Sequence, residues 1–448
     1  MNHTSQEIKK EVSILLRIGL PIVGTQLLGI GLNVTDAIMA GNLSATDLAG
    51  VAVGNALYLP VSLFGMAILM AINPIVSQYL GARKFDEIGK SARQTLWMVG
   101  FLTIPSFVFI RHLDLIMYWL DVDSEIIPKS TEYLKAISWG IPGLLTFAGL
   151  RYFTEGLAIT KPAMYIALLM LILNIPMDYV LMYGKLGFTA MGAQGTGYAT
   201  TVVQLAGGLA MVLFMASFKP IKRFNIYART KGPDWKYIKE ILHIGVPNGI
   251  SSTLEVLLFA TVSILMGTLS VTASASHQIA INIAATFFMI PFGLSMVISQ
   301  RVGLAVGQNS MKQARFRGFL GTVVCVIIMM FTAILIFTFP EHIVGIYTKD
   351  PKVMALAVSL IFYAGLFQIS DGLQVGGFGA LRGLKDTRMP MIFNFISYWL
   401  IGFSVGYYLG IITDFGPSGL WIGLISGLSV AAICHNTRFH LMTSNAKN

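Results

Sequence analysis

Long apolar runs alternate with short polar segments along the whole chain. An α-helix needs about 20 predominantly apolar residues to cross the hydrocarbon core of a bilayer, and twelve runs are close to or above that length. They fall at residues 14–39, 48–76, 94–111, 133–155, 163–183, 193–217, 238–266, 274–300, 317–339, 353–380, 390–411 and 417–440. The pattern predicts an all-α polytopic membrane protein with twelve transmembrane helices.

Composition excludes an ordinary soluble enzyme. Of the 448 residues, 55% are hydrophobic and 12% are charged, and that charged share is about half the ~25% of a soluble domain. A soluble fold cannot bury so many apolar residues, because long chains divide into domains with polar surfaces. The two cysteines both lie in apolar runs, so neither a disulfide framework nor a metal-binding spacing is predicted.

The basic residues predict the orientation of the helices. Loops rich in Lys and Arg stay in the cytoplasm, and with the N-terminus inside, 25 of the 31 basic residues fall in cytoplasmic segments. Both termini are therefore predicted to be cytoplasmic. The net charge of +10 reflects this topology, so nucleic acid is not predicted as a partner.

The chain contains an internal repeat. Ile-Gly-Leu-Pro at 18–21 recurs as Ile-Gly-Val-Pro at 244–247, and Phe-Gly at 64–65 recurs at 292–293. Further matches join residues 41–44 with 267–270 and residues 156–162 with 383–390, all at offsets of 226 to 228. The repeat predicts an N-terminal lobe of helices 1–6 (1–217), a cytoplasmic linker (218–236) and a C-terminal lobe of helices 7–12 (237–448). Since six is even, both copies enter the membrane in the same sense.

A duplicated six-helix bundle is typical of secondary transporters, in which one half moves against the other around a central site. No site for ATP is predicted. Gly89-Lys90-Ser91 ends like a phosphate-binding loop, but Lys84 stands where that motif needs its first glycine. We therefore expect transport to be coupled to an ion gradient.

Acidic residues within the apolar runs are the candidate chemistry. Asp36, Asp178, Glu255 and Asp371 lie in predicted helices 1, 5, 7 and 10, with no Lys or Arg at comparable depth. A charge at the bilayer centre costs about 2.5 to 3.5 kcal/mol, so such residues are expected to be functional. Carboxylates in this setting can bind H+ or Na+ and attract organic cations. Asn174 lies one turn before Asp178 and can contribute a further oxygen.

Two other charged or titratable positions have less specific interpretations. Glu155 lies beside Arg151 and Lys161, which fits either an ion pair near the interface or a gating role. His277 lies near a helix end and is expected to be a hydrogen-bonded structural histidine.

Several segments together resemble the multidrug and toxic compound extrusion (MATE) family, and in particular its bacterial NorM type. They are Asn-Val-Thr-Asp-Ala-Ile-Met-Ala-Gly at 33–41, the region of Glu255, residues 153–162, and residues 371–383. The resemblance implies a two-lobed antiporter of the bacterial inner membrane, contributing to antibiotic resistance. It implies export of diverse, often cationic drugs in exchange for Na+ or H+, without a cofactor and as a monomer.

The resemblance also assigns residues. Glu255 and Asp371 match a cation site of the C-terminal lobe, and Asp36, Asn174, Asp178 and Thr196 match one of the N-terminal lobe. It makes Na+ possible at either acid pair, and it makes Asp36, Glu255, Phe367 and Asp371 candidates to line the substrate cavity. Two positions depart from the pattern. Some members have Tyr where this chain has Phe367, which removes a possible oxygen contact and weakens the case for Na+ at that site. Some have Asn where this chain has Asp178, which makes the N-terminal site more acidic here.

The residues disfavour three alternative functions. A lipid-linked saccharide flippase of related architecture needs Lys or Arg in its cavity to meet phosphates, and this chain places acids there. A membrane-embedded enzyme needs a nucleophile with a base, or a metal cluster, and neither occurs at helical spacing. A channel is disfavoured because two repeats with an acid site each fit alternating access better.

Overall fold

The computed structural model describes residues 4–120, 122–222, 224, 226 and 232–444. Within these residues the chain forms helices and no strands. The helices are α1 Ser5–Leu43, α2 Ala45–Leu69, α3 Ile72–Gly81, α4 Phe85–Arg111, α5 Asp114–Trp119, α6 Ile126–Ser138, α7 Ile141–Gly156, α8 Lys161–Tyr183, α9 Ala193–Ser217, α10 Lys219–Lys222, α11 Trp235–Leu269, α12 Val271–Gly307, α13 Met311–Thr338, α14 Pro340–Gly345, α15 Pro351–Gly383, α16 Arg388–Asn394, α17 Ser404–Tyr407 and α18 Gly416–Ser444, with π-helical segments at Phe395–Phe403 and Tyr408–Ile412.

The prediction of an all-helical membrane protein is confirmed. Among the described residues, eleven helical spans are long and apolar enough to cross a bilayer. The predicted fourth run, 133–155, is instead divided between α6 and α7 at Trp139 and Gly140. The α7 helix packs very closely on α9, since a Cβ at Gly143 would collide with the backbone of Gln204 and Leu205. Together α6 and α7 account for the twelfth span.

The surface has the character expected of a protein in lipid. Large apolar side chains from separate helices are strongly exposed, among them Ile104 at 67%, Ile264 at 69% and Phe331 at 67%. Soluble monomers seldom expose extended apolar surface. We infer that these side chains face the acyl chains of the bilayer.

The internal repeat is visible in the backbone as well as in the sequence. Ser44 and Ser270 both cap helices in extended conformation, each accepting a hydrogen bond from the amide three residues on. Two pairs of left-handed residues recur at offsets of 226 and 227: Arg83 and Asn309 both have φ 56°, and Ala158 (φ 61°) matches Lys385 (φ 63°). Non-glycine residues adopt positive φ rarely. The repeat therefore extends to the helix caps and turns.

The chain folds into two compact units, and each is assembled from both halves of the sequence. The N unit is Gly24–Gly249, and the C unit consists of the described residues of Met1–Val23 and Ile250–Asn448. This division differs from the lobes predicted as 1–217 and 237–448, because α1 and α11 each pass from one unit to the other. Both transitions fall at the same place in the repeat, 226 residues apart. Residues 223, 225 and 227–231 of the predicted linker lie outside the described residues.

Glycine contacts explain why the first parts of α1 and α11 belong where they do. In the C unit, a Cβ at Gly19 would collide with the side chain of Leu294. In the N unit, a Cβ at Gly245 would collide with the backbone of Ile68. Close helix packing through small residues is the main source of association inside a bilayer. The first part of α1 is therefore an integral part of the C unit, and the first part of α11 is an integral part of the N unit.

Polar contacts also hold the first parts of α1 and α11 in their units. In the C unit, Glu11 of α1 accepts two hydrogen bonds from Arg301, at 2.6 and 2.7 Å. In the N unit, the Asn248 amide donates to the carbonyl of Ala67 at 2.7 Å. A bidentate Arg–carboxylate pair is among the stronger hydrogen-bonded arrangements in proteins.

Transmembrane helix 11 of the chain, which lies in the C unit, has a distinctive backbone. It begins as α16 and then contains both π-helical segments, with α17 between them. Glycines on its inner face contact glycines of α18, and a Cβ at Gly423 would overlap the Cα of Gly406. π-helical turns are rare and occur frequently at functional sites.

Candidate functional site

The N unit brings together the acids and the amide predicted for its site. Asp36 lies on α1, whereas Asn174 and Asp178 lie one turn apart on α8. The Asn174 side-chain amide donates to Asp36 Oδ1 at 3.1 Å and to Asp178 Oδ2 at 2.9 Å. All three side chains are buried. A single amide group thus links two carboxylates from different helices.

Two further hydroxyl-bearing residues belong to this site and were missed from the sequence. Thr200 on α9 donates to Asp36 Oδ2 at 3.1 Å, and Tyr133 on α6 lies within electrostatic range of Asp36 and Asp178. Thr196, which was predicted, is fully buried one turn before Thr200, and its hydroxyl has no partner among the described residues. The spacing of the two threonines on one face of α9 was a signal that could have identified Thr200.

The N-unit site is rich in oxygen atoms and lacks a fixed cation. Within the described part of the chain, neither Asp36 nor Asp178 forms an ion pair with Lys or Arg, and one oxygen each of Asp178 and Asn174 has no protein partner. Carboxylate, amide and hydroxyl oxygens are the ligands of hard cations. Nor do three His, Cys, Asp or Glu side chains cluster anywhere in the described residues as a metal centre would require. The arrangement suits a transiently bound monovalent cation.

The C unit brings Glu255 and Asp371 together. Glu255 lies on α11 and is partly buried, and Asp371 lies on α15 and is 1% exposed. The two carboxylates are within electrostatic range of each other. Neither oxygen of Asp371 has a hydrogen-bond partner among the described residues. This second acid pair therefore has far fewer oxygen neighbours than the first.

Aromatic side chains lie beside the C-unit acids. Phe367 is one turn before Asp371, and its ring centroid lies 6.0 Å from that of Phe259 and 5.9 Å from that of Trp421. Trp421 in turn packs against His277, whose Nε2 lies 3.0 Å from the Ser263 hydroxyl. Aromatic faces attract organic cations. Of the predicted cavity residues, Phe367 and Asp371 are thus neighbours in one unit, and Asp36 belongs to the other.

Glu155 is located in the N unit, in the last turn of α7. It is 1% exposed, and its Oε1 lies 3.4 Å from Arg151 Nε. Arg151 also donates to Gln26 at 3.1 Å and lies over the ring of Tyr152. The structure therefore contains the ion pair, in a buried form. A gating role for Glu155 stays a prediction.

These features define a class. The chain is a polytopic helical membrane protein with two related units. Each unit contains a pair of acids, fully or partly buried, that no Lys or Arg neutralises within the described residues. Proteins built this way transport solutes rather than catalyse reactions.

Comparisons with known proteins identify the family. The sequence pattern described as MatE matches residues 21–180 and again residues 247–408. The chain is 39% identical over 429 residues to the multidrug resistance protein MdtK of Yersinia enterocolitica, covering 94% of each chain. It is 38% identical over the same length to MdtK of Yersinia pestis, again covering 94% of each. The chain belongs to the MATE family, as its resemblance predicted, and the family is one of transporters rather than enzymes.

Solved structures support the same fold. The crystal structure of the eukaryotic MATE transporter AtDTX14 superimposes with a TM-score of 0.88 at 18% identity, covering 98% of this chain and 97% of that one. An outward-facing multidrug resistance MATE family transporter gives a TM-score of 0.86 at 18% identity, covering 96% and 95%. The two matches to the MatE pattern correspond to the two copies of the repeat.

Proposed function

We propose that this protein is a secondary multidrug antiporter that exports cationic and amphiphilic drugs in exchange for Na+ or H+ by alternating access. The observation that supports it most directly is the pair of fully or partly buried acids in each unit, which have no fixed counter-charge in the part of the chain that the structure describes. The relatives named as multidrug resistance proteins support the substrate class. We also propose a bacterial inner-membrane location, cytoplasmic termini and function as a monomer.

We further propose that the two sites take different cations. The N-unit site offers two carboxylates, an amide and hydroxyl groups, and this number of oxygen atoms fits Na+. In the C unit, Asp371 is enclosed without an oxygen partner among the described residues, and Phe367 brings a ring where an oxygen would strengthen a metal site. A carboxylate in such surroundings is better matched to a proton, which needs only one oxygen.

The drug is proposed to use the C-unit acids and the neighbouring rings of Phe259, Phe367 and Trp421. A planar organic cation gains from a carboxylate and from aromatic faces at once. Protonation of Asp371 or Glu255 removes the negative charge that attracts the drug. Drug and proton thus compete for the same acids, which is the requirement for exchange.

The proposal is tested on protein reconstituted in vesicles, with Na+ and H+ gradients imposed separately and ethidium transport followed by fluorescence. We expect each gradient to drive ethidium out against its concentration gradient. Asp36→Asn, Glu255→Gln and Asp371→Asn should each reduce this transport, whereas Asp114→Asn, which changes an acid on the short helix α5, should not. Unchanged gradient-driven transport in all three site variants would overturn the proposed mechanism.

A further inference from the structure

Arg111 places a positive charge at the end of a membrane-spanning helix of the N unit. It is the last residue of α4, and its side chain is half-buried. Among the described residues, neither Arg111 nor Asp114, the next acid along the chain, forms an ion pair. The Arg111 Nη1 atom is buried and has no hydrogen-bond partner in the part of the chain that the structure describes. A buried polar group without a partner costs free energy, so this position favours an anion from outside the chain.

Two aromatic rings hold the guanidinium of Arg111. Its Cζ atom lies 5.2 Å from the ring centroid of Phe107 and 5.8 Å from that of Trp139. The two rings contact each other edge to face, at a centroid distance of 4.9 Å. Phe107 stands one turn before Arg111, so the Arg111 side chain turns back along α4 toward the membrane, as helical side chains do. Because the rings already restrict this long side chain, little rotamer entropy remains to be lost when a ligand binds.

The neighbouring side chains place the guanidinium at the level of the lipid headgroups. The short helix α5 begins three residues after Arg111, and it exposes Tyr118 at 61% and Trp119 at 85%. Trp139 is 55% exposed. Trp and Tyr are enriched where the hydrocarbon core of a bilayer meets the headgroups. Arg111 therefore lies in the region that contains the phosphates of phospholipids.

A polar group lies deeper on the same face of α4. Thr103, Phe107 and Arg111 follow one another at intervals of four residues, which places them on one face of the helix. The Thr103 hydroxyl is buried and has no hydrogen-bond partner among the described residues. Since the guanidinium lies over Phe107, this hydroxyl is one helical turn, about 5.4 Å, further into the membrane. The ester carbonyls of a phospholipid lie on that side of its phosphate, and a carbonyl accepts a hydrogen bond from a hydroxyl.

We propose that Thr103, Phe107, Arg111 and Trp139 form a binding site for one phospholipid. The guanidinium donates hydrogen bonds to the phosphate, because its planar fork matches two phosphate oxygens. The Thr103 hydroxyl donates to an ester carbonyl. The acyl chains lie along the exposed apolar surface of α4, where Ile104 is 67% exposed two turns before Arg111. The site requires only that the protein spans a bilayer, so it is independent of the coupling ion and of the transported drug.

Charge and polarity together favour a phospholipid over a soluble anion. Six of the 31 basic residues fall in predicted outer segments, and Arg111 is the only arginine among them in the sequence. Lys129, another of the six, pairs with Asp47 at 3.4 Å. A soluble anion gains only from the guanidinium, whereas a phospholipid also covers the exposed rings and the apolar face of α4. An arginine surrounded by exposed apolar surface therefore matches an amphiphilic anion.

The test measures binding of dioleoyl phosphatidylglycerol to the full-length protein in detergent by native mass spectrometry. In wild type, one lipid should bind about tenfold more tightly than those that follow, because hydrogen bonds to a charged group contribute about this much. Arg111→Gln should abolish this tighter step, and Thr103→Val should weaken it by a few-fold. Lys185→Gln, which changes an exposed lysine just beyond α8, is the control and should bind the lipid like wild type.

Two further ligands separate recognition of the phosphate from general adsorption of lipid. Dioleoylglycerol has the same acyl chains without the phosphate, and it should bind to wild type without a tighter step. Glycerol 3-phosphate at the same concentration should not displace the phospholipid. A tighter step with dioleoylglycerol would overturn the site, and displacement by glycerol 3-phosphate would overturn its assignment to a lipid.

The affinity of Arg111→Gln for phosphatidylglycerol decides the proposal when this variant folds. An unchanged tighter step in Arg111→Gln overturns the site. If Arg111→Gln does not fold, Arg111→Lys takes its place, because lysine keeps the charge but lacks the planar fork. That variant should lose several-fold in affinity, and wild-type affinity in it would overturn the site. Since no arm of the test measures transport, its result and that of the antiport test are independent.

Discussion

The two acid pairs differ in what surrounds them. In the N unit, Asp36 and Asp178 are joined by the Asn174 amide, with Thr200 on the remaining oxygen of Asp36. In the C unit, Asp371 has no hydrogen-bond partner among the described residues. The first site is an assembly of oxygen ligands, and the second is an enclosed acid beside aromatic rings. Two copies of one fold thus carry two kinds of chemistry.

Alignment of the two copies of the repeat shows that their acids occupy different positions. With the offset of 226, Asp36 corresponds to Val262 and Glu255 corresponds to Gly29. With the offset of 227, Asp371 corresponds to Leu144. None of these acids therefore has an acidic counterpart in the other copy. The copies share helix caps, left-handed turns and a first helix that passes from one unit to the other. Their acidic sites, in contrast, are built at non-equivalent positions.

The largest expected effect separates the two sites directly. Asp36→Asn should reduce Na+-driven efflux by more than about a hundredfold, because it removes a charged ligand from the oxygen cluster. Proton-driven efflux should be largely preserved in that variant, whereas Asp371→Asn should reduce efflux under both gradients, because Asp371 is also proposed to bind the drug. Ethidium efflux from vesicles under each gradient measures both. Equal loss under both gradients in both variants would show that the sites act as one.

A smaller effect concerns the amide between the N-unit acids. Asn174→Ala leaves two neighbouring carboxylates without their shared donor, so Na+ affinity should fall by about tenfold. Isothermal titration of Na+ into detergent-solubilised protein measures this affinity. Asn42→Ala, which removes an exposed amide on α1 that bonds only within its own helix, is the matched control and should bind Na+ normally.

The next prediction concerns the scaffold of the C-unit site. Gly423→Ala places a methyl group against the backbone of Gly406, and overpacking of this kind costs about 1 to 3 kcal/mol. It should lower the apparent melting temperature and weaken proton-driven efflux, while Na+ binding to the N unit is unchanged. Gly100→Ala is the control, since a Cβ at Gly100 meets nothing within 4 Å.

The smallest expected effect comes from a substitution that makes the two sites more alike. Phe367→Tyr adds a hydroxyl one turn before Asp371. A single hydrogen-bonding group contributes about 0.5 to 1.5 kcal/mol, so Na+ affinity at the C unit should rise by only a few-fold, measured in the Asp36→Asn background. No gain in that background would show that the C-unit geometry cannot hold Na+ even with an added oxygen.

Much of the fold was predictable because a bilayer imposes strong rules on sequence. Span length follows from bilayer thickness. Two predicted runs are divided in the structure: 48–76 between α2 and α3, and 133–155 between α6 and α7. Hydropathy is insensitive to such a break, because a helix interruption in the membrane needs only neighbouring groups to satisfy the backbone.

The candidate site was only partly predictable. A charged group within the bilayer costs free energy, so an acid in an apolar run indicates a function. Each of the four acids could therefore be identified singly: Asp36, Asp178, Glu255 and Asp371. Thr200 could be identified only through its one-turn spacing from Thr196, and Tyr133 could not be identified, since Thr and Tyr are ordinary residues in membrane helices and acquire a role only through their neighbours. The π-helical segments Phe395–Phe403 and Tyr408–Ile412 were also not predicted from the sequence.

The sequence by itself determined that this protein spans a membrane, that it is a duplicated bundle, and that it keeps uncompensated acids within its spans. These properties follow from composition, periodicity and repeats, which are local or additive along the chain. Only the tertiary structure decided that Asn174 joins Asp36 to Asp178, that Asp371 stands apart from other oxygen donors, and that α1 and α11 each contribute to both units. Those facts depend on which helices approach one another, and close packing through glycines at distant positions sets that approach.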